Sequence, residues 1–278
     1  MKLQTFLPLV TYPDASSDAA IANAAAVSRL LSAELNVLAL EVDIPEVSNA
    51  LSRMLLDLPT MIREAEKLSA QQGSRLLALA KTKADGAAIV ARTGAVACQL
   101  HLLGETAADH ARYSDLALVG LEAENPGTRM VAEAVIFGSG RPTMLMPAGK
   151  PVEKLDRIAI AWDGSRVAAR AVADARHMLE RASAVSVITV TDEKPLKDQD
   201  AGKRLAASLR QGGLKAEFSA ILAEDCPIAE TLQQHAIGTG ADLLVMGGYG
   251  HSRLRDFVLG GATEGVLTDL RLPVLLSH

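Results

Sequence analysis

The stretch RIAIAWDGSRVAARAVADARHMLERASAVSVITV, residues 157–190, decides the fold class. Arg157–Trp162 is a short apolar run stopped by Asp163-Gly164-Ser165, which reads as a buried strand ending in a turn. Residues 165–182 are rich in Ala, Arg, Leu and Met at apolar helical spacing, the pattern of an amphipathic helix. Val185–Val190 is β-branched and reads as a second strand. Strand, helix and strand in this order form a βαβ unit, which implies parallel pairing and a right-handed crossover.

The alternation continues downstream. A helix over 198–211 is stopped by Gly212 and Gly213, and Lys215–Leu222 is a third strand. Pro227 opens a helix to Ile237, ended by Gly238 and Gly240. Asp242–Met246 is a fourth strand, Thr263–Leu270 a last helix and Pro273–Leu276 a last strand. Upstream the order repeats. Strands are expected at Phe6–Val10, Leu35–Val42, Val96–Leu103, Leu116–Gly120 and Thr143–Met146. Helices are expected at 18–33, at 46–72 with an interruption at Pro59, and at 105–112.

The two halves also share strings. Asp115-Leu-Ala-Leu-Val-Gly120 aligns with Asp242-Leu-Leu-Val-Met-Gly247, and Arg141-Pro-Thr-Met-Leu-Met146 with Leu272-Pro-Val-Leu-Leu-Ser277. Repeats in the same order and at similar separation point to duplication. The linker-like PAGKPVEK, 147–154, then separates domains at 1–149 and 154–278, in keeping with roughly 100–200 residues per domain.

Composition narrows the function classes. Hydrophobic residues make up 49% of the 278 and aromatics only 3%, so the core is aliphatic, as in a parallel sheet buried on both faces. The net charge of −5, without basic runs interleaved with aromatics, argues against nucleic acid as a partner. Cys98 and Cys226 form no metal-site spacing and no disulfide framework, as expected of thiols in a reducing compartment. No uncharged apolar stretch reaches about 18 residues, so no membrane span is expected and the cytoplasm is the expected location.

Chemistry concentrates in Met246-Gly-Gly-Tyr-Gly-His-Ser-Arg-Leu-Arg-Asp-Phe-Val-Leu-Gly-Gly-Ala-Thr263. A strand ends, a glycine-rich loop follows and a helix begins. Free amides and the positive dipole end of a helix N-terminus favour an anion. Thr263 adds a hydroxyl, as N-cap or phosphate donor. His251, Arg253 and Arg255 make the loop positive. There is no GxxxxGK[ST] and no GxGxxG, so neither a P-loop nor a dinucleotide fingerprint is present.

The spacing Gly247, two residues, Gly250, nine residues, Gly260 resembles the G-x2-G-x9-G-[ST] motif of the universal stress protein family. IAIAWDGSRVAARAV resembles that family's opening strand, turn and helix, and LPVLLSH its closing strand; the first half is similar in strand order and ending but not in the loop. The resemblance implies two tandem, doubly wound α/β domains with five-stranded parallel sheets in order 3-2-1-4-5, of the adenine nucleotide alpha-hydrolase-like kind. It also implies binding of ATP or AMP, with Mg as a candidate companion of the phosphates. Strands one and four then flank a topological switch point, where open α/β sheets take ligands.

Carried over to this sequence, the resemblance makes Asp163 a contact to adenosine and Val190 a backbone contact to adenine. Met246 and Gly247 line the sugar and first phosphate. Gly250, Gly260, Gly261, Ala262 and Thr263 cradle the phosphates, and His251 stands within reach. Each has a plainer reading: Asp163 as a turn former, Val190 as core, the glycines as loop turns and His251 as a surface residue. The chain departs from the motif at Gly261, where the family has Ser or Thr. One neutral hydrogen bond is worth roughly 0.5–1.5 kcal/mol, so that departure weakens a triphosphate site without abolishing it.

The first half departs further. Glu122 and Glu124 stand where phosphates would approach, and like charge disfavours an anion. Asp14 could imitate Asp163, but Pro13 precedes it. Leu51, Met54, Leu55, Leu56, Leu58 and Met61 either face the core as a helix pair, cover a groove or bind a partner. The expectation is a stress-response regulatory protein that binds an adenine nucleotide in its second half, its two halves forming an internal pseudo-dimer, with a homodimer as a further option. No catalytic residue or metal ligand is assigned. The alternatives are a weak ATP-hydrolysing enzyme and a ligand-free interaction module.

Overall fold

In a computed structural model of the chain, residues 2–45, 57–193, 198–248 and 261–278 are described. They divide into two units, Met1–Ser139 and Gly140–His278. The first unit runs β1 (Gln4–Val10), α1 (Asp18–Leu30), β2 (Glu34–Val42), α2 (Leu58–Gly86), β3 (Ala91–Cys98), a 3-10 turn at Leu100–Leu102, α3 (Leu103–Ala111), β4 (Leu116–Leu121) and α4 (Pro126–Gly138). Its strands pair in parallel in the order β3-β2-β1-β4.

The second unit holds β5 (Thr143–Pro147), β6 (Arg157–Ala161), α5 (Arg166–Asp174), α6 (Arg176–Leu179), β7 (Ala184–Val190), α7 (Ala201–Gln211), β8 (Ala216–Ile221), α8 (Ile228–Gly238), β9 (Leu243–Gly247), α9 (Gly261–Thr268) and β10 (Val274–Ser277). Strands β8-β7-β6-β9-β10 are parallel and realise the order 3-2-1-4-5. β5, the string that the repeat assigns to the first copy, lies in the second unit, antiparallel to β10 with Leu145 opposite Val274.

Both sheets are wound on two faces. In the first unit a Cβ at Gly120 would strike Ala20 of α1, and one at Gly73 of α2 would lie 3.4 Å from Ala39 of β2. Gly120 and Ala39 share a face, because Leu9 stands level with both by register. The opposite face carries Phe6, Val10, Leu40 and Ala117, packed under Leu103, Ala107, Val131 and Val135 of α3 and α4. In the second unit α5 meets Gly247, and Gly202 of α7 meets Phe218 and Thr189 on that same face. Alternation puts Ile221 on the other face, where it lines a cavity with Thr231 and His235 of α8.

Several expected boundaries move, for identifiable reasons. Of the helical stretch expected at 46–72, residues 46–56 lie outside the described residues; α2 starts at Leu58 with Asp57 as N-cap, its carboxylate accepting from Thr60 N at 3.4 Å, and Pro59 sits in its first turn. Proline is at home in a first turn, where its missing N–H is not needed. The third strand is Ala91–Cys98, not Val96–Leu103. Its eight residues match β2 from Leu35 to Val42 in register, whereas Leu103 is fully buried at the start of α3. This edge strand is half-exposed on both faces, so it lacks the apolar run by which buried strands are read. The helix over 165–182 divides at Ala175, whose carbonyl accepts from both Met178 N and Leu179 N. α4 was not anticipated; Asn125 caps it, with Pro126 in the first turn. α9 begins at Gly261 rather than Thr263. Of the apolar cluster on the long helical stretch, Leu51, Met54, Leu55 and Leu56 lie outside the described residues, and Met61 is exposed.

Gly247 ends β9 where the first turn of α5 crosses it. A Cβ there would lie 2.6 Å from Ala168 N and from Val167 C, both backbone atoms that cannot swing aside. Gly247→Ala is expected to destabilise the protein by about 1–3 kcal/mol, the usual range for overpacking. Gly238, where an added methyl would meet nothing within 4 Å, serves as the control. Gly238→Ala should leave the urea midpoint within about 0.5 kcal/mol of wild type. Equal midpoints for the two variants would contradict the packing argument.

Candidate functional site

The carboxyl ends of β6, β7 and β9 gather the residues singled out from the sequence. Trp162 continues the ladder beyond β6: its N–H donates to Ile188 O at 2.8 Å, and its carbonyl accepts from Thr189 Oγ1 at 2.9 Å. The strand then breaks at Asp163. The exposed Asp163 carboxylate accepts from Ser165 N at 2.9 Å across Gly164, which sits at φ 75°, a conformation that favours glycine. Ser165 in turn caps α5 by accepting from Ala168 N at 3.2 Å. The turn-forming reading of Asp163 is therefore correct as far as it goes, and it leaves the carboxylate at the surface of the crevice.

Met246 is buried and Gly247 half-buried at the end of β9. Carrying the β6–β9 register forward from Ile160 and Val245 sets Gly247 level with Trp162, one residue before Asp163. The following turn is held from β10: Gly248 N donates to Ser277 O at 2.8 Å, and His278 Nδ1 donates to Gly248 O at 3.0 Å. This anchor was missed in the sequence, because nothing local marks His278 as partner to a loop thirty residues upstream. Gly250, His251, Gly260, Arg253 and Arg255 lie outside the described residues. Beyond them Gly261 is exposed, Ala262 half-buried and Thr263 buried in the first turn of α9. Thr263 is thus the third residue of the helix and not its N-cap.

Val190 closes β7 and is buried. Two residues on, Asp192 forms a clasp that sequence reading also missed. Its carboxylate accepts from Ala223 N at 2.7 Å and Glu224 N at 3.0 Å, joining the ends of β7 and β8. These two amides hold the Asp192 carboxyl below its usual range. Glu224 and Asp225 both take positive φ at this turn, 49° and 66°.

The first unit builds the same corner and then fills it. Ser17 caps α1 by accepting from Ala20 N at 3.3 Å, as Ser165 does from Ala168. The amide that Asp163 satisfies in the second unit, Ser165 N, has its counterpart in Ser17 N, which donates to Glu122 Oε1 at 2.8 Å. Glu122 thus seats its own carboxylate on the helix N-terminus. Asn125 Oδ1 accepts from Gly127 N and Thr128 N at 3.0 and 3.2 Å, and its amide donates to Asp14 O. At the end of β2, Val42 N donates to Ser69 Oγ of α2 at 2.8 Å, and Ser69 also meets Thr11 Oγ1 at 2.7 Å. Asp14 takes part through its main chain, not in the role of Asp163.

Among the described residues no cluster of three His, Cys, Asp or Glu is arranged for a metal ion, and no helix is long and apolar enough to cross a membrane.

Residues 154–278 match the model of the universal stress protein family. The chain is 27% identical over 152 residues to universal stress protein Slr1230 of Synechocystis, a match covering 51% of this chain; it spans about half the length of that relative, 49%. A universal stress protein from Archaeoglobus fulgidus superposes with a TM-score of 0.71 at 17% identity, covering 99% of this chain and 95% of that one. A putative universal stress protein from Pseudomonas aeruginosa gives a TM-score of 0.56 at 19% identity, covering 99% and 92%. At such identities these structures establish the fold on both halves.

The Asp192 clasp has a defined pH dependence. A carboxyl held low in the folded state contributes fully above its unfolded pKa, about 3.9, and its contribution is lost as pH falls through the lower folded value. Hydrogen exchange at Ala223 and Glu224, corrected for intrinsic rates, should show protection at neutral pH that disappears in acid. Asp192→Asn should lower that protection at neutral pH and remove the acid step. An unchanged profile in the variant would exclude the clasp.

Proposed function

We propose that the second unit, whose residues 154–278 match the universal stress protein family, binds one adenine nucleotide, ATP or AMP, at the carboxyl ends of β6, β7 and β9, as a regulatory protein of the stress response. The observation that carries this reading is the contrast between the two copies of the corner. In the first unit, Glu122, Asn125 and Ser69 take up the backbone amides of the crevice. In the second, Asp163, Val190, Gly247 and the first turn of α9 stand at the corresponding places, and among the described residues no side chain is seen in the roles of Glu122, Asn125 and Ser69.

In this reading the Asp163 carboxylate accepts from the ribose hydroxyls and the end of β7 borders the base. The first-turn amides of α9 receive phosphate, favoured by the helix dipole. Mg2+ enters as the counter-ion of a triphosphate, not on a protein ligand set. Gly250, His251 and Gly260 complete the cradle as the family motif implies. Gly261 leaves room for the hydroxyl that the motif calls for: a Cβ there would sit 3.5 Å from Ile228 Cγ2, an ordinary contact.

The sole tryptophan, Trp162, adjoins Asp163 and supplies the assay. Native mass spectrometry of the purified full chain, followed by fluorescence titration with ATP and AMP, is expected to give one nucleotide per chain. Asp163→Ala should weaken binding about tenfold or more, the equivalent of one charge-assisted hydrogen bond. Gly261→Ser should tighten ATP by up to about tenfold. Two nucleotides per chain would refute the asymmetry, and no saturable binding would refute the reading altogether. Phosphate release above about 1 per second would favour an enzyme.

A further inference from the structure

The opposite end of the second sheet carries a cavity of about 910 Å³ at the amino-terminal ends of β6, β7 and β8. We propose that it is a second ligand site, for a small polyhydroxylated anion of the sugar-phosphate class. Arg157, Arg210 and Lys215 line it, together with Ser186, Ser219 and Glu217. Its volume lies in the range of small-molecule sites, roughly 300–1,000 Å³. No aromatic ring lines it, so it offers nothing on which a base could stack.

The cations are positioned but not neutralised. Arg157 Nη2 donates to Thr239 O at 2.8 Å, and Arg210 Nη1 to Ala216 O at 3.0 Å. A carbonyl orients a guanidinium and leaves its charge uncompensated. Among the described residues neither arginine nor Lys215 has a carboxylate partner. Two nearby carboxylates are engaged elsewhere, and a third, Glu217, lines the cavity itself. Asp156 accepts from Ser183 Oγ, while Asp242 accepts from Asp156 N and Arg157 N and pairs with Lys154. Glu217 shares a face with Ser186 by register, and with Ser219 by alternation along β8. One acceptor and two hydroxyls beside three cations suit a ligand with an anionic group at one end and hydroxyls at the other.

The first unit supplies the internal control, because duplication gives it the same corner. There Gln4 opens β1 as Arg157 opens β6, and Glu34 faces Gln4 in register as Ala184 faces Arg157. Glu34 binds Arg92 at 2.7 Å, pairs with Lys2 at 3.8 Å and accepts from Gln4 Nε2 at 3.2 Å. Asn36 closes the cluster on Gln4 Oε1. The first copy therefore neutralises its own cations. In the second copy the neutralising carboxylate is an alanine and the cations remain available for an external anion.

The test uses the full chain and glucose 6-phosphate, followed by amide NMR shifts at Ser186 and Ser219. Saturable shifts there with Kd below about 1 mM are expected. Arg157→Gln with Arg210→Gln should weaken binding about tenfold or more, through lost charge-assisted hydrogen bonds. Both guanidinium groups are exposed and glutamine keeps part of the stem, so an unchanged amide spectrum elsewhere verifies the fold. Asp163→Ala should leave this affinity unchanged, which keeps the result separate from the nucleotide crevice. The proposal is overturned if shifts fail to saturate, if they arise only at Gly247 and Gly261, if the double variant binds as wild type does, or if inorganic sulfate binds as tightly.

Discussion

In each half, a glycine in the last two residues of the fourth strand lies hard against the first turn of the helix that follows the first strand. Gly247 meets the backbone of Val167 and Ala168, and Gly120 meets Ala20. In both cases the helix residue is the third after a serine N-cap, Ser165 or Ser17. This contact brings a helix N-terminus over the end of the neighbouring strand. It thereby creates a crevice where connections depart to opposite faces of the sheet. The glycines are required because a side chain would meet backbone in one case and a packed methyl in the other.

A crevice of this kind presents unsatisfied amides, and buried amides must find partners. The two units answer the same demand in different ways. The first satisfies it internally, with Glu122 on the N-cap of α1, Asn125 on the first turn of α4 and Ser69 on the end of β2. Its loop from β4 to α4 spans only residues 122–125. The second keeps the acceptor role local, in the Asp163 turn, and thirteen residues, 248–260, separate β9 from α9 in the sequence. The opposite end of the sheet repeats the contrast: there too the first unit neutralises itself, through Glu34, while among the described residues of the second unit Arg157 and Arg210 are held by carbonyls.

Local pattern was enough for most of the second unit. The strands at 157–162, 185–190, 215–222 and 242–246 are visible because burial on both faces produces apolar runs bounded by turn residues. The Asp163-Gly164-Ser165 turn is equally local, since a positive φ, an Asx acceptor and an N-cap lie within three residues. The third strand of the first half was misplaced because an exposed edge strand carries no such run, and α4 was passed over beside the acidic residues at 122 and 124.

By itself, the order of residues determined the α/β class, the matching strand strings of the two halves, the glycine spacing after β9 and the acidic residue at Glu122, since each is written within a few neighbouring positions. Tertiary structure alone decided what Glu122 touches, that Ser69 reaches Val42, that His278 anchors Gly248 and that Asp192 clasps the turn after β8. These partners lie roughly thirty to a hundred residues apart in the chain. No periodicity links such positions; only the folding of the sheet brings their donors and acceptors within 3 Å of one another.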